Sequence, residues 1–187
     1  MSPALPACGF KEWSFVCAAL GSGAQSVILR KGGIHEGKSG FWWRHEQFFL
    51  FPTHFHEQTT QFAWTPPVPL TPSPETHTVK YLAEVVSKHQ ITDWETVRGL
   101  GDLHFWTEDT LRERFDYSEA AGISLAFLRV FRLSEPWTFP DEKKFGGCRS
   151  WLDLPVPPES LTLTPVLDEA THTTRRAALE DRLSPPG

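Results

Sequence analysis

Three groups of residues have the types and spacing for chemistry. Arg30-Lys31-Gly32-Gly33 sets two cations before two glycines, so charged side chains and backbone N–H groups can converge on one small volume, as a phosphate or carboxylate requires. The run matches neither G-x-x-x-x-G-K-[ST] nor G-x-G-x-x-G, and its plainer alternative is an edge strand with a solvated basic end and a glycine hairpin. His54 and His56 share a face if the chain is extended there. With His45, Glu46 or Glu57, or with Glu36, they form a candidate imidazole and carboxylate set for a metal, although no H-E-x-x-H pattern accompanies them. Arg129 and Arg132 interrupt an apolar strand, where a charge must be paired or line a cavity. An ion pair from Arg129 to Glu95 or Glu113 is preferred, and a ligand-facing arginine is the alternative.

Other motifs carry less. Asp141-Glu142-Lys143 matches the acid and lysine of metal-dependent nucleases, but it follows Pro140 and reads as a turn. No G-x-S-x-G elbow occurs. Cys148 reads as a small buried residue beside Trp151, and Trp42, Trp43, Trp106 and Trp151 have faces that can stack on bases, most of them needed for a core.

The elements that would position these groups can be read from periodicity. Phe10 to Leu20 carries apolar residues at 10, 13, 16, 17 and 20, one face of a helix, with Gly21 as its cap. Gln25 to Arg30 is short and β-branched, a strand. Phe41 to Pro52 fits a strand or a short helix. Five prolines between Thr65 and Glu75 leave an extended loop. Thr78 to Val86 resumes as a strand, and Thr92-Asp93-Trp94-Glu95 matches a capping box that opens a helix to Leu100. A second helix, Thr107 to Phe115, starts on a capping threonine. Ile123 to Leu133 reads as a central strand, and a last strand falls near Phe145 to Leu154. Strands come in neighbouring groups, so the class is α+β, one mixed, mostly antiparallel sheet with flanking helices and room to curl into a barrel. Residues 9–154 form a single domain in this reading. Residues 155–187 form a proline-rich, charged tail, partly disordered or helical.

Composition bounds the function. With 40% hydrophobic and 22% charged residues in 187, the chain has the balance of a globular domain. Its 18 Lys+Arg against 23 Asp+Glu give a net charge of −5, which excludes a wholly basic nucleic-acid coat. Charge is uneven: residues 26–56 hold four Lys/Arg against two Glu and four of the eight His, whereas residues 92–122 hold eight acids against three bases. Cys8, Cys17 and Cys148 are odd in number and widely spaced, which argues against a disulfide framework. No run approaches the ~18 apolar residues of a membrane span, and residues 1–7 have no leader pattern. A cytoplasmic protein is expected, with no membrane partner and no cofactor signature.

Six segments together resemble the bacterial and plant family of domain of unknown function 1802: Lys11-Glu12-Trp13, Leu29 to Ile34 with Glu36, Phe51-Pro52-Thr53 with His56 and Gln58, His104 to Thr107 with Arg114-Phe115, Arg129 to Leu133, and Gly146 to Trp151. The resemblance spans about residues 9–154 and implies shared polar residues at Lys11, Glu12, Arg30, Lys31, Glu36, His56, His104, Arg129 and Ser150. It implies no activity. A looser, fold-level comparison is with PUA-like barrels of the ASCH type, which bind RNA or nucleotides, although their G-x-K-x-x-E-x-R pattern is not matched by residues 30–36.

The leading expectation is a binding domain whose pocket, lined by Arg30, Lys31, Glu36, His56, His104, Arg129 and Trp151, accepts an anion such as a nucleotide or nucleic-acid end. The alternative is a metal-dependent hydrolase or nuclease with Glu36, His54 and His56 as ligands and Lys31 on the transition-state charge. A third is an interaction module built on the acidic helices.

Overall fold

The computed structural model of the chain describes residues 5–31, 41–54, 58–68, 71–117 and 121–184. Its first two elements divide the segment that reads as one helix: β1 covers Cys8–Trp13 and α1 covers Ser14–Gly21. The strand prevails because it has neighbours on both sides. One is β3 (Gln47–Thr53), parallel, and the other is β6 (Trp151–Asp153), antiparallel. Phe10 still meets the core, so the apolar spacing serves both conformations.

β2 (Val27–Arg30) lies against β5 (Ile123–Pro140), which pairs with β4 (Thr76–Ile91) from end to end except at residues 133–136. Both long strands outrun the segments predicted for them. Register shifts at Val79/Tyr81 and Val85/Ser87 bend this ribbon. The strand order is β2-β5-β4-β3-β1-β6, and every pairing except β1 with β3 is antiparallel. The class is α+β, as expected. No ladder joins β2 to β6 among the described residues, so the sheet is not closed by backbone pairing.

The sheet is buried on both faces. Phe48 and Leu50 of β3 enter one cluster and Phe49 and Phe51 the other, which explains an uninterrupted apolar run with strict alternation beneath it. Short helices flank the first cluster: α2 (Gln58–Gln61), α3 (Trp94–Gly99) and α4 (Glu108–Phe115). The cap of α3 is Asp93 rather than Thr92, its carboxylate accepting from Thr96 N–H at 2.7 Å. Thr107 caps α4 as predicted.

The chain beyond residue 154 does not trail away from the domain. β7 (Leu163–Pro165) adds to the free edge of β5, and α5 (Glu169–Leu183) buries Leu179 and His172 against the first cluster. The sequence hid this because α5 has only a narrow apolar face.

Candidate functional site

Alternation along β1 sends Glu12 to one face of the sheet and Lys11 to the other. On the inner face Glu12 is 1% exposed, and its Oε1 accepts from Trp13 N–H at 2.8 Å. Arg30, at the end of β2, sets Nη1 3.9 Å from Glu12 Oε2 and donates from Nη2 to Ser150 Oγ at 2.7 Å. Arg114 of α4 completes the group: its Nη1 donates to Leu29 O at 3.3 Å and its guanidinium lies 3.7 Å from the Trp106 ring centre. Burial pushes Arg114 down to about 10, with Glu12 opposing that shift and Arg30 adding to it. Around Arg30 stand the rings of Phe10 and Phe41, and Trp151 packs 4.8 Å from Phe10. Glu12 Oε2, Arg30 Nε and Trp151 Nε1 are buried here with no hydrogen-bond partner among the described residues. With Arg30 beside the Glu12 carboxylate and Arg114 on the carbonyl of Leu29, the cluster ties β1, β2 and α4 together.

Lys11, on the other face, opens onto a groove of about 590 Å³ between α1, the end of β3 and the start of β4. Four nitrogen bases line it: Lys11, His54, His77 and Lys80. No carboxylate lines it among the described residues. Lys11 Nζ donates to Gly147 O at 2.9 Å, and burial, then Arg149, lowers its pKa. His54 is lowered by burial and next by His77, which favours its neutral form. His77 donates from Nε2 to Asp141 Oδ1 at 2.6 Å, its ring centre 4.5 Å from that of Phe51. Lys80 is exposed and has no ion pair among the described residues. The hydroxyls are mutually engaged: Thr76 Oγ1 donates to Ser73 Oγ, Thr78 bonds Thr138, and Thr53 Oγ1 donates to Glu12 O.

A model of the family described as Domain of unknown function (DUF1802) matches residues 9–178. The chain belongs to this family. No curated protein matches the sequence. Among solved structures, the ASCH protein from Zymomonas mobilis is 17% identical, with 92% of this chain and 94% of that one covered and a TM-score of 0.42. A mutant of that protein is 16% identical, with 94% and 99% covered and a TM-score of 0.43.

In this DUF1802 chain the residues expected to share one pocket separate into several places. Arg30 and Trp151 do come together, in the inner cluster. His104 adjoins it through the backbone: its Nδ1 accepts from Trp106 N–H at 3.0 Å, and burial pushes it down to about 4, so the ring is a neutral acceptor within the core. Lys31 follows Arg30 directly and is half-buried, which lowers its pKa. Arg129 lies apart, its Nη1 2.5 Å from Glu169 Oε2 on α5, and the hollow beside it is about 10 Å³, too small for a ligand. Its partner is therefore neither Glu95 nor Glu113, because α5 packs where the sequence suggested a tail. Glu36 and His56 lie outside the described residues. Among the described residues no three His, Cys, Asp or Glu side chains converge as metal ligands. Cys148 is exposed, not packed beside Trp151 as expected. His77 and Lys80 escaped the sequence reading, although their positions on a strand directly after the proline-rich loop were available to it.

Proposed function

We propose that this protein binds a phosphate-bearing ligand of the nucleotide or nucleic-acid class in the groove beside Lys11. One observation carries the reading: in a chain of net charge −5, a groove of about 590 Å³ is lined by two lysines and two histidines and by no carboxylate among the described residues. A concave surface of one sign concentrates counter-charge, and cations placed there neutralise phosphate oxygens. The volume falls within the ~300–1,000 Å³ usual for small-molecule sites. His54, Ser73 and Lys80 are exposed along it, so a strand of nucleic acid can lie in the opening as well as a single nucleotide.

Arg30 has a structural part in this reading, because Glu12 and Ser150 already engage it. No helix among the described residues is long and apolar enough to cross a membrane. The unpaired thiols of Cys8, Cys17 and Cys148 support a reducing, cytoplasmic setting.

The test is fluorescence polarisation with labelled single-stranded RNA and DNA over a salt series. Lys11→Ala with Lys80→Ala should weaken binding at least ~10-fold and flatten the salt dependence, since each lost phosphate contact on a single strand removes about 0.7 from the slope. Arg129→Ala should bind as the parent does. Unchanged affinity in the double lysine variant would overturn the assignment.

A further inference from the structure

Helix α5 carries three arginines, and two of them are engaged. Arg176 pairs with Glu180 at 2.8 Å, and Arg182 donates to Gly99 O at 2.7 Å and to Asp102 Oδ1 at 3.2 Å. Arg175 has neither an ion pair nor a hydrogen bond among the described residues, although it is half-buried and burial lowers its pKa. A guanidinium that has lost water without gaining a partner is a site that a bound anion would stabilise.

Arg175 lines a cavity of about 220 Å³ between α5, the start of β2, β5 and the 3₁₀ turn Gly101–Leu103. Val27, Phe127 and Leu179 give it apolar walls. Two hydroxyls stand in the same lining. That of Thr174 donates to Ala170 O at 2.9 Å, within the helix. That of Ser26 has no hydrogen-bond partner among the described residues, and Ser26 is only 5% exposed. A buried hydroxyl left unpaired is costly, so an acceptor inside the cavity would complete it. Asp102 is the one carboxylate of the lining among the described residues, and it already faces Arg182. The cavity therefore keeps one uncompensated positive charge.

We propose that this cavity binds a small organic carboxylate with a compact apolar body, its carboxylate on Arg175 and Ser26 and its hydrocarbon against Val27, Phe127 and Leu179. The planar fork of a guanidinium matches a carboxylate with two parallel hydrogen bonds, and a serine hydroxyl adds a third donor. Size sets the class of ligand. An apolar cavity of ~150 Å³ takes benzene, so this one takes a single ring, or a branched chain of about five or six carbons, together with its carboxylate. It lies below the ~300–1,000 Å³ of sites for larger molecules. The cavity shares no lining residue with the groove beside Lys11, and its occupant is independent of what that groove binds. Because α5 forms one wall and β2 and β5 the other, an occupant also holds α5 on the domain.

The test follows thermal unfolding and isothermal titration of the full chain with benzoate, isovalerate and 4-methylvalerate, each beside its neutral amide, and with inorganic phosphate. At least one carboxylate should raise the melting temperature with concentration, and bind ~10-fold or more tightly than its amide. Arg175→Gln should remove that preference, weakening the carboxylate ~10-fold or more and leaving the amide within about threefold. Ser26→Ala should weaken the carboxylate ~3–10-fold. Ala178→Leu, which fills the cavity, should abolish binding of acid and amide alike. A cooperative thermal transition in each variant shows that it is folded. No heat and no shift with any of the three carboxylates would overturn the site. Equal affinity for acid and amide, or an affinity unchanged in Arg175→Gln or Ala178→Leu, would overturn the assigned contacts. Phosphate bound more tightly than every carboxylate would overturn the ligand class. Oligonucleotide binding in the groove is measured on the same samples and stands or falls separately.

Discussion

Arg30 Nη2 donates to Ser150 Oγ at 2.7 Å, and this bond joins β2, at one end of the strand order, to the residue just before β6 at the other. The curl of the sheet is therefore fastened by a side chain where a barrel would use a ladder. Glu12 stands between the two, from β1, so three strands distant in sequence meet at one buried ion pair. Such a pair fixes an arrangement more surely than it adds stability, because two charges have lost water to form it.

Breaking that pair from one side should be costly. Arg30→Ala leaves Glu12 buried with only Arg114 nearby, and the expected loss is about 3 kcal/mol. Adding Glu12→Gln should recover part of it, since the uncompensated charge goes. Urea unfolding midpoints of the parent, the single and the double variant decide it. A single variant within ~0.5 kcal/mol of the parent would show that the contact fastens nothing.

A second dependence joins α1 to the groove. A Cβ on Gly21 would lie 2.0 Å from Tyr81 Cζ, and Arg132, which stacks on that ring, donates to Gly21 O at 3.1 Å. The ring is hemmed in, so Gly21→Ala should cost about 1–3 kcal/mol by overpacking. Tyr81→Leu in the same chain should relieve most of that. Because Tyr81 lines the groove, Gly21→Ala should also weaken oligonucleotide binding. Thermal unfolding and polarisation on the same samples check both effects.

How far the fold was legible depended on how local its causes are. The Thr107 cap, the β-branched β2 and the apolar runs of β3 and β5 are set by neighbouring residues, and each appears close to its expected place. The start of α1 was misplaced because apolar spacing at Phe10, Trp13 and Val16 suits a helix, whereas the parallel pairing with β3 that makes Phe10 extended is a long-range contact. The groove failed to appear for the same reason. Lys11, His54, His77 and Lys80 come from β1, the end of β3 and β4, and only the sheet order brings them to one wall. Arg30 and Trp151 both stand against the ring of Phe10, where Glu12 and Ser150 engage Arg30 as a tie between strands.

Arg129 offers a plain check on what lies outside the groove. Its side chain is 24% exposed and that of Glu169 is 73% exposed, the setting in which ion pairs contribute ~0–1 kcal/mol. Arg129→Ala should lower stability by no more than about 1 kcal/mol. Removing all of α5 should cost far more, since it uncovers the surface that Leu179 and His172 bury. Unfolding midpoints of Arg129→Ala and of a chain ending at residue 168 separate the two. A truncated chain as stable as the parent would make α5 an accessory to the domain.

His104 should give the protein a defined weakness to acid. Its ring is buried and neutral, its folded pKa pushed down to about 4 by loss of water, against 6.5 for the free side chain. Between those values the unfolded chain binds a proton that the native chain refuses. This group's contribution is thus fully present above pH 6.5 and disappears as pH falls toward 4. At 1.36 kcal/mol per unit, the loss amounts to about 3 kcal/mol. His104→Asn retains an oxygen to accept Trp106 N–H and removes the titration. The variant's stability should therefore fall less between pH 7 and pH 4.5 than the parent's, by about 2 kcal/mol, while His54 and His89 titrate alike in both. Urea unfolding at the two pH values measures the difference, and parallel losses in parent and variant would place the acid sensitivity elsewhere.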